Sequence, residues 1–529
     1  MNRMTLGIVS AVAAAVLAAC AAQAPREVAF APGIEEASVA GLRQRMAAGE
    51  TSAEALTQAY LDRIEALDRN GPKLRSVIAT NPDALAEARK LDEERQAGQV
   101  RGPLHGIPVL VKDNVETAGR MATTAGSLAL AESVTGRDAF LVARLREAGA
   151  VILGKTNLSE WANFRSIHST SGWSGVGGQA RNPYDPARSP CGSSSGSGAA
   201  IAASLGAIAI GTETDGSILC PAGVNGIVGL KPTVGLVSRG GIVPISASQD
   251  TAGPMTRTVA DAAAMLGALT AIDPKDPAMQ VPGRKAHDNY LPFLQRDALR
   301  GARIGVVRDL AGYKPGVDRV LEQAIEVMKA QGAIVVDPVA MPTLKEIDAD
   351  EWQVLQYEFK DGLNAYLASL PATVKAPRSL AELITFNEMQ ADRELKHFGQ
   401  DIFVLSQAKG PLTDKAYRKA RARSWRKAGP EGIDKALREH QLDALLAPTT
   451  SAAWTMDYVN GDHYVGGSST AAAVAGYPSI SVPAGFDRGL PIGITLFAGA
   501  WSEPRLLALA YAFEQAANAR KPPALTEAP

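Results

Sequence analysis

Two glycine- and serine-rich segments hold the residues best suited to covalent chemistry. The first, Cys191-Gly192-Ser193-Ser194-Ser195-Gly196-Ser197-Gly198, opens an alanine-rich helix, and the second, Gly211-Thr212-Glu213-Thr214-Asp215-Gly216-Ser217-Ile218, follows the next apolar strand. A helix of about ten residues runs ~15 Å outward and a strand of about five returns ~16 Å, so Ser193 and Ser217 finish on one rim. The helix start places free backbone N–H groups and a positive dipole end near Ser193. The Asp215-Gly216 turn offers amides that can face an oxyanion, the equipment needed to attack a carbonyl carbon. A packing turn rich in glycine would explain either segment alone, but not both together with Lys112 at the end of the apolar run Ile107 to Val111.

Three other motif matches fail on context. Gly149 to Thr156 satisfies the phosphate-loop pattern, yet its spacer Ala150-Val151-Ile152-Leu153 is itself a strand, where a phosphate cradle needs flexible backbone. Gly192-Ser193-Ser194-Ser195-Gly196 matches the nucleophile elbow of α/β-hydrolases, but Pro183 to Pro190 upstream is a polar, turn-rich stretch and not the required strand. Ser406-Gln407-Ala408-Lys409 matches S-x-x-K without S-D-N or K-T-G downstream.

The elements that must position these residues are those of a large α/β protein. The chain has 529 residues, 46% hydrophobic and 21% charged, enough to bury a sizeable core. Helical periodicity covers residues 38–69, with an N-cap at Thr51-Ser52 followed by Glu54, and a second helix follows from Pro82 to about Gln96. Short apolar strands then occupy residues 107–111, 150–153 and 207–210, separated by a long polar loop at 163–198, and such loops inside compact domains usually carry function. A strand, helix, strand pattern returns at 303–336, residues 345–440 read as a helix-rich insertion, and strands at 444–446, 479–482 and 492–497 precede a closing helix at about 503–519. No repeat or linker interrupts residues 38–529, which read as a single domain.

The first residues differ from the rest. Arg3 precedes an apolar run of fourteen residues, Leu6 to Ala19, too short to span a bilayer and typical of an export signal. It ends Leu17-Ala18-Ala19-Cys20, which resembles a bacterial lipobox and predicts a signal peptide at 1–19, lipidation of Cys20 and a tether at 20–37; ordinary cleavage after Ala22-Gln23-Ala24 is the alternative. Either reading exports the protein, to the cell envelope as a membrane-anchored lipoprotein or, as the alternative, in soluble periplasmic or secreted form. The remaining cysteines, Cys191 and Cys220, make no C-x-x-C pair. Export permits a disulfide between them, although two small buried thiols near the site is the favoured reading. The six histidines have no metal-ligand spacing, so no metal or other cofactor is expected. A formal net charge of -1 without a basic run leaves nucleic acid out.

At the serine segments the chain resembles the amidase signature family. The resemblance extends over Gly106-Ile107-Pro108-Val109-Leu110-Val111-Lys112-Asp113, Gly154-Lys155-Thr156-Asn157, Gly229-Leu230-Lys231-Pro232-Thr233, Asp250-Thr251-Ala252-Gly253-Pro254 and Pro478 to Pro483, most of residues 40–515. It implies a large mixed twisted sheet covered by helices on both faces, and hydrolysis of carboxamide bonds. By position, Ser217 resembles the nucleophile, Ser193 the proton relay joined to Gly192 by a cis peptide bond, and Lys112 the general base. Backbone N–H groups of Thr214, Asp215 and Gly216 would form the oxyanion hole, and Asn163 with the 165–178 loop would line the substrate cleft. The assignment is chemically coherent: a serine hydroxyl needs a base, and lysine can be one only as the neutral amine. Bringing its pKa from about 10.4 to pH 7–8 costs about 3.5 kcal/mol, which burial can supply.

Cys191 and Asp215, each standing where the family commonly has glycine, are shared with its peptide amidase branch, which implies C-terminally amidated peptides as substrates. Fatty or aryl amides are the alternative, and an inactive solute-binding lipoprotein is the alternative from another class. The related enzyme that amidates aminoacyl-tRNA works in the cytosol with partners, which the lipobox contradicts; no obligate partner is expected, and membrane contact only through the lipid.

Overall fold

Apolar runs without alternation belong to strands covered on both faces, and these runs build the centre of the molecule. A computed structural model describes residues 33–525; the expected signal peptide, Cys20 and most of the tether lie outside them. Strands β1 (Val77–Thr80), β2 (Pro108–Lys112), β3 (Val151–Thr156), β4 (Trp173–Ser174), β5 (Gly178–Gln179), β6 (Ile208–Glu213), β7 (Val228–Lys231) and β8 (Thr251–Thr256) come from the first half. From the second half come β9 (Arg303–Val306), β10 (Ile334–Val336), β11 (Ala444–Pro448), β12 (Ser479–Asp487) and β13 (Leu490–Phe497). Apart from the small β4-β5 ladder they form one 11-stranded sheet in the order β1-β3-β2-β6-β8-β7-β12-β13-β11-β9-β10.

The sheet is mixed: β2 runs parallel to β3 and β6, and β9 parallel to β10 and β11, while β6, β8, β7, β12 and β13 pair antiparallel in turn. Every residue of β2, β3, β6, β7 and β8 is buried. Flanking helices close the core, Val259–Leu269 and Glu503–Ala517 contributing Leu266 and Phe513. Expected helix starts are seen at Ser52, whose hydroxyl accepts from Ala55 N–H at 3.1 Å, and at Ala84–Gln96.

Besides the short β4 and β5, three strands of the large sheet escape a reading from hydrophobic pattern alone: β1, β7 and β8. Pro254 inside β8 argues against a strand by composition, since proline cannot donate to the ladder. Pro254 lies opposite Ile210 of β6, while β8 pairs with β7 only at Thr256 and Met255, so on the β7 side Pro254 lies beyond the ladder and needs no donor. Gly253 beside it is required by close approach, for a Cβ there would run into the Leu230 carbonyl oxygen of β7.

Residues 345–440 are helical as expected, led by Asp348–Ser369, Leu380–Met389, Asp401–Gln407 and Lys415–Ala428. Phe359, Leu363, Leu380 and Phe403 of this insertion share an apolar cluster with Trp161 and Phe164 from the polar loop after β3. Trp161 meets Phe403 edge-on at 6.0 Å and Phe164 meets Trp352 at 5.8 Å. The insertion is thereby packed onto the loops that follow the central strands.

Candidate active site

Because β2 and β6 are parallel neighbours, with Val109 opposite Ile208 and Val111 opposite Ile210, their C-terminal ends share one edge. That is where open α/β sheets place their ligands. β2 ends on Lys112, and β6 runs through Thr212 into the Thr214-Asp215-Gly216 turn. Lys112 is 0% exposed. Its Nζ lies 2.8 Å from Ser193 Oγ, 2.8 Å from Thr212 Oγ1 and 3.2 Å from the Thr212 carbonyl oxygen. Those three contacts fit the three N–H donors of an ammonium and equally a neutral amine, with two N–H donors for Thr212 and one lone pair for the Ser193 hydroxyl proton. Burial pushes the lysine pKa well below its usual value, against the opposing pull of the Glu213 and Asp250 carboxylates.

The two serine segments are stitched together by backbone. Ser194 N–H donates to the Ser217 carbonyl at 3.1 Å, and Ser194 Oγ donates to the Thr212 carbonyl at 3.0 Å. Ser193 follows a cis peptide bond from Gly192. The expectation of free N–H groups at this helix start is narrowed at two positions: Ser194 N–H donates to the Ser217 carbonyl, and Gly196 N–H to the Asn157 carbonyl at 2.9 Å. The helix Ser195–Ala202 is buried along its whole length, and these two amides meet protein carbonyls.

Beyond β6, Gly216 takes φ +76°, a left-handed conformation that glycine reaches without a Cβ clash. Glu213 Oε2 accepts from Ile218 N–H at 2.7 Å and Leu219 N–H at 3.0 Å. This anchors the residue after Ser217 and caps the helix Leu219–Val224. Thr214 Oγ1 donates to Asp250 Oδ1 at 2.6 Å, and burial lifts the Asp250 pKa to about 6.

The favoured reading of Cys191 and Cys220 as free thiols is overturned, because they form a disulfide. The cause is the convergence just described: the helix and strand return the chain so that the two Cα atoms stand 6.0 Å apart, within bridging range. The disulfide ties the segment before Ser193 to the helix after Ser217.

A cleft of about 450 Å³ opens on this edge, lined among others by Asn163, Gly192, Asp215, Gly216 and the disulfide. Asn163 sits in the left-handed region at φ +72°, and its Oδ1 finds no protein partner. Ser166, Ile167, Ser169 and Ser171 of the 165–178 loop line the cleft. Sequence reasoning missed its apolar wall, Trp352 and Ile402 from the insertion with Trp454 and Tyr464 from the loop after β11. It also missed Asn114, two residues past the lysine, whose Nδ2 donates to Thr212 Oγ1 at 3.0 Å. The phosphate-loop lookalike contains β3, and its Lys155 is buried against Asp113 at 3.0 Å.

The amidase family profile matches residues 55–507. The solved peptide amidase of Stenotrophomonas maltophilia is 56% identical, with TM-score 0.88 over 93% of this chain and 99% of that one. A solved component of the glutamyl-tRNA(Gln) amidotransferase of Thermotoga maritima is 27% identical, with TM-score 0.68 over 94% of this chain and 99% of that one. A "Probable amidase" of Arabidopsis thaliana is 41% identical over 93% of this chain and 92% of its own length. The chain belongs to the amidase signature family and is a hydrolase of amide C–N bonds.

Proposed function

We propose that amide hydrolysis runs through Ser217 as nucleophile, Ser193 as proton relay and Lys112 as general base, on C-terminally amidated peptides. The observation that carries this reading is the 2.8 Å contact between Lys112 Nζ and Ser193 Oγ in a fully buried setting. Ser193 passes its proton to the neutral amine and takes the proton of Ser217, whose Oγ bonds to the carboxamide carbon. The C=O electron pair moves onto oxygen, facing the amides of the Thr214-Asp215-Gly216 turn. When it returns, the C–N bond breaks, and nitrogen leaves as ammonia with the proton handed back from Lys112 through Ser193. Water then attacks the acyl ester by the same relay, releasing the acid and Ser217.

Two observations support the peptide substrate. Identity is 56% to a peptide amidase against 27% to the amidotransferase component. The cleft also combines Phe164, Trp352, Ile402 and Trp454 with the acceptors of Asn163 and Asp462, an apolar wall with polar fixing points. A site closed behind the leaving group admits -NH2 and rejects a continuing chain by steric exclusion. An amidated peptide should therefore gain about one mass unit and release ammonia, with no shorter fragments. Internal cleavage, or turnover confined to fatty or aryl amides, would contradict the substrate while leaving the amidase chemistry intact.

The same reading places the enzyme in the cell envelope, anchored through Cys20. The Cys191–Cys220 disulfide supports export, because such bonds persist in oxidising compartments. Cys20→Ala should release the enzyme or leave its precursor uncleaved. Lipid-modified mutant protein in the membrane fraction would rule the anchor site out.

A further inference from the structure

The turn that carries the oxyanion amides is held from outside the sheet. Asp215 Oδ2 accepts from Thr470 Oγ1 at 2.7 Å. Oδ1 is buried and accepts no hydrogen bond from a backbone or side-chain donor. The Asp215 carboxyl also faces another carboxyl, Glu351, in the first turn of the insertion helix Asp348–Ser369. Glu351 Oε1 accepts from Gln249 Nε2 at 2.8 Å, and the same amide donates to the Thr214 carbonyl at 3.3 Å. Glu351 thus engages the turn twice, once directly and once through Gln249, and both residues are buried.

We propose that Glu351 is a positioning residue for amide hydrolysis: one proton shared between Glu351 and Asp215 locks the Thr214-Asp215-Gly216 turn to the helical insertion, and its loss at alkaline pH frees the turn. The inference rests on reading that turn as the oxyanion hole. Glu351 is buried and Asp215 half-buried at the cleft wall, and two carboxylates facing each other with so little water between them cannot both ionise without strong repulsion. Burial first, and then the Asp215 charge, push the Glu351 pKa well above its usual value, and burial raises Asp215 as well. The groups facing the pair are Asp348 at the start of the same helix, Glu213 from β6, Lys231 from β7, Tyr464, and the hydroxyls of Ser469 and Thr470. Lys231 is the one cation among these groups, and burial brings its pKa down to about 8. Above that pH it no longer offsets the negative charge.

The test is kcat and KM for one amide substrate from about pH 6 to 10 in wild type, Glu351→Gln and Glu351→Ala. A glutamine amide can donate to Asp215 as the shared proton does, but cannot ionise. Glu351→Ala should lose about tenfold or more in kcat with KM changed little, as expected when oxyanion donors move. Glu351→Gln should restore kcat to within about threefold of wild type near pH 7.5 and abolish the wild-type fall at the alkaline end. An unchanged alkaline limb in Glu351→Gln, equal losses in the two variants, or a wild-type profile in Glu351→Ala would overturn the proposal. Ser217→Ala run alongside separates the two readings: activity there defeats the serine mechanism itself, whereas its loss beside wild-type-like Glu351 variants defeats only the proton-sharing pair.

Discussion

Ser217→Ala is expected to lower kcat/KM by at least about 10⁴-fold, on the order of 5.5 kcal/mol of transition-state stabilisation, because the variant has no hydroxyl on which the acyl bond could form. Ser193→Ala and Lys112→Ala should each lose about 10²- to 10⁴-fold, the range typical of positioned acid-base groups. Combining them should cost far less than the product of the single losses, since a relay missing one link is already broken. The pH profile follows from the sign of the lysine shift. Burial depresses the Lys112 pKa, so the ammonium persists only at lower pH, and activity rises as pH rises through that depressed value to a plateau, which ends at the alkaline fall assigned to the Glu351–Asp215 pair. Steady-state kinetics of the three variants checks this, and full activity in Lys112→Ala would show that a different base serves.

Gly196→Ala should cost the fold at least about 3 kcal/mol, at or beyond the upper end of ordinary overpacking. A Cβ at this position would fall against the Ser76 carbonyl oxygen and within 2.6 Å of Asn157 N. These are backbone atoms already committed to one another, Asn157 N–H donating to Ser76 O at 2.8 Å, and Gly196 N–H to Asn157 O at 2.9 Å. Neither can yield without separating β3 from the chain leading into β1, so the helix that carries Ser193 cannot dock. Urea unfolding monitored by circular dichroism reads the loss. A midpoint equal to wild type would show that the segment relaxes at little cost.

Legibility in the sequence tracks how local each determinant is. The apolar run before Lys112 announced a buried strand, and the glycines around Ser193 and Ser217 announced tight turns. The helix-out, strand-back path between the serines needed only element lengths. Longer-range facts were hidden. Pro254 reads as a strand breaker until the short β7-β8 ladder is known. Whether Cys191 and Cys220 bridge depends on a Cα distance that spacing along the chain does not contain. Trp352 and Ile402 reach the cleft because the insertion packs over Trp161 and Phe164, a tertiary contact with no local sign. The amides of Ser194 and Gly196 looked available because their carbonyl partners come from Ser217 and Asn157, one in another turn and one in another loop.

The central claim is that Ser217, and not Ser193, becomes acylated. Peptide mapping by mass spectrometry after labelling with a fluorophosphonate tests it most directly, since that probe traps the activated serine covalently. The adduct should lie on Ser217, should disappear in Ser217→Ala, and should form far more slowly in Lys112→Ala. An adduct on Ser193, or turnover of an amide by enzyme that never acquires the label, would contradict it.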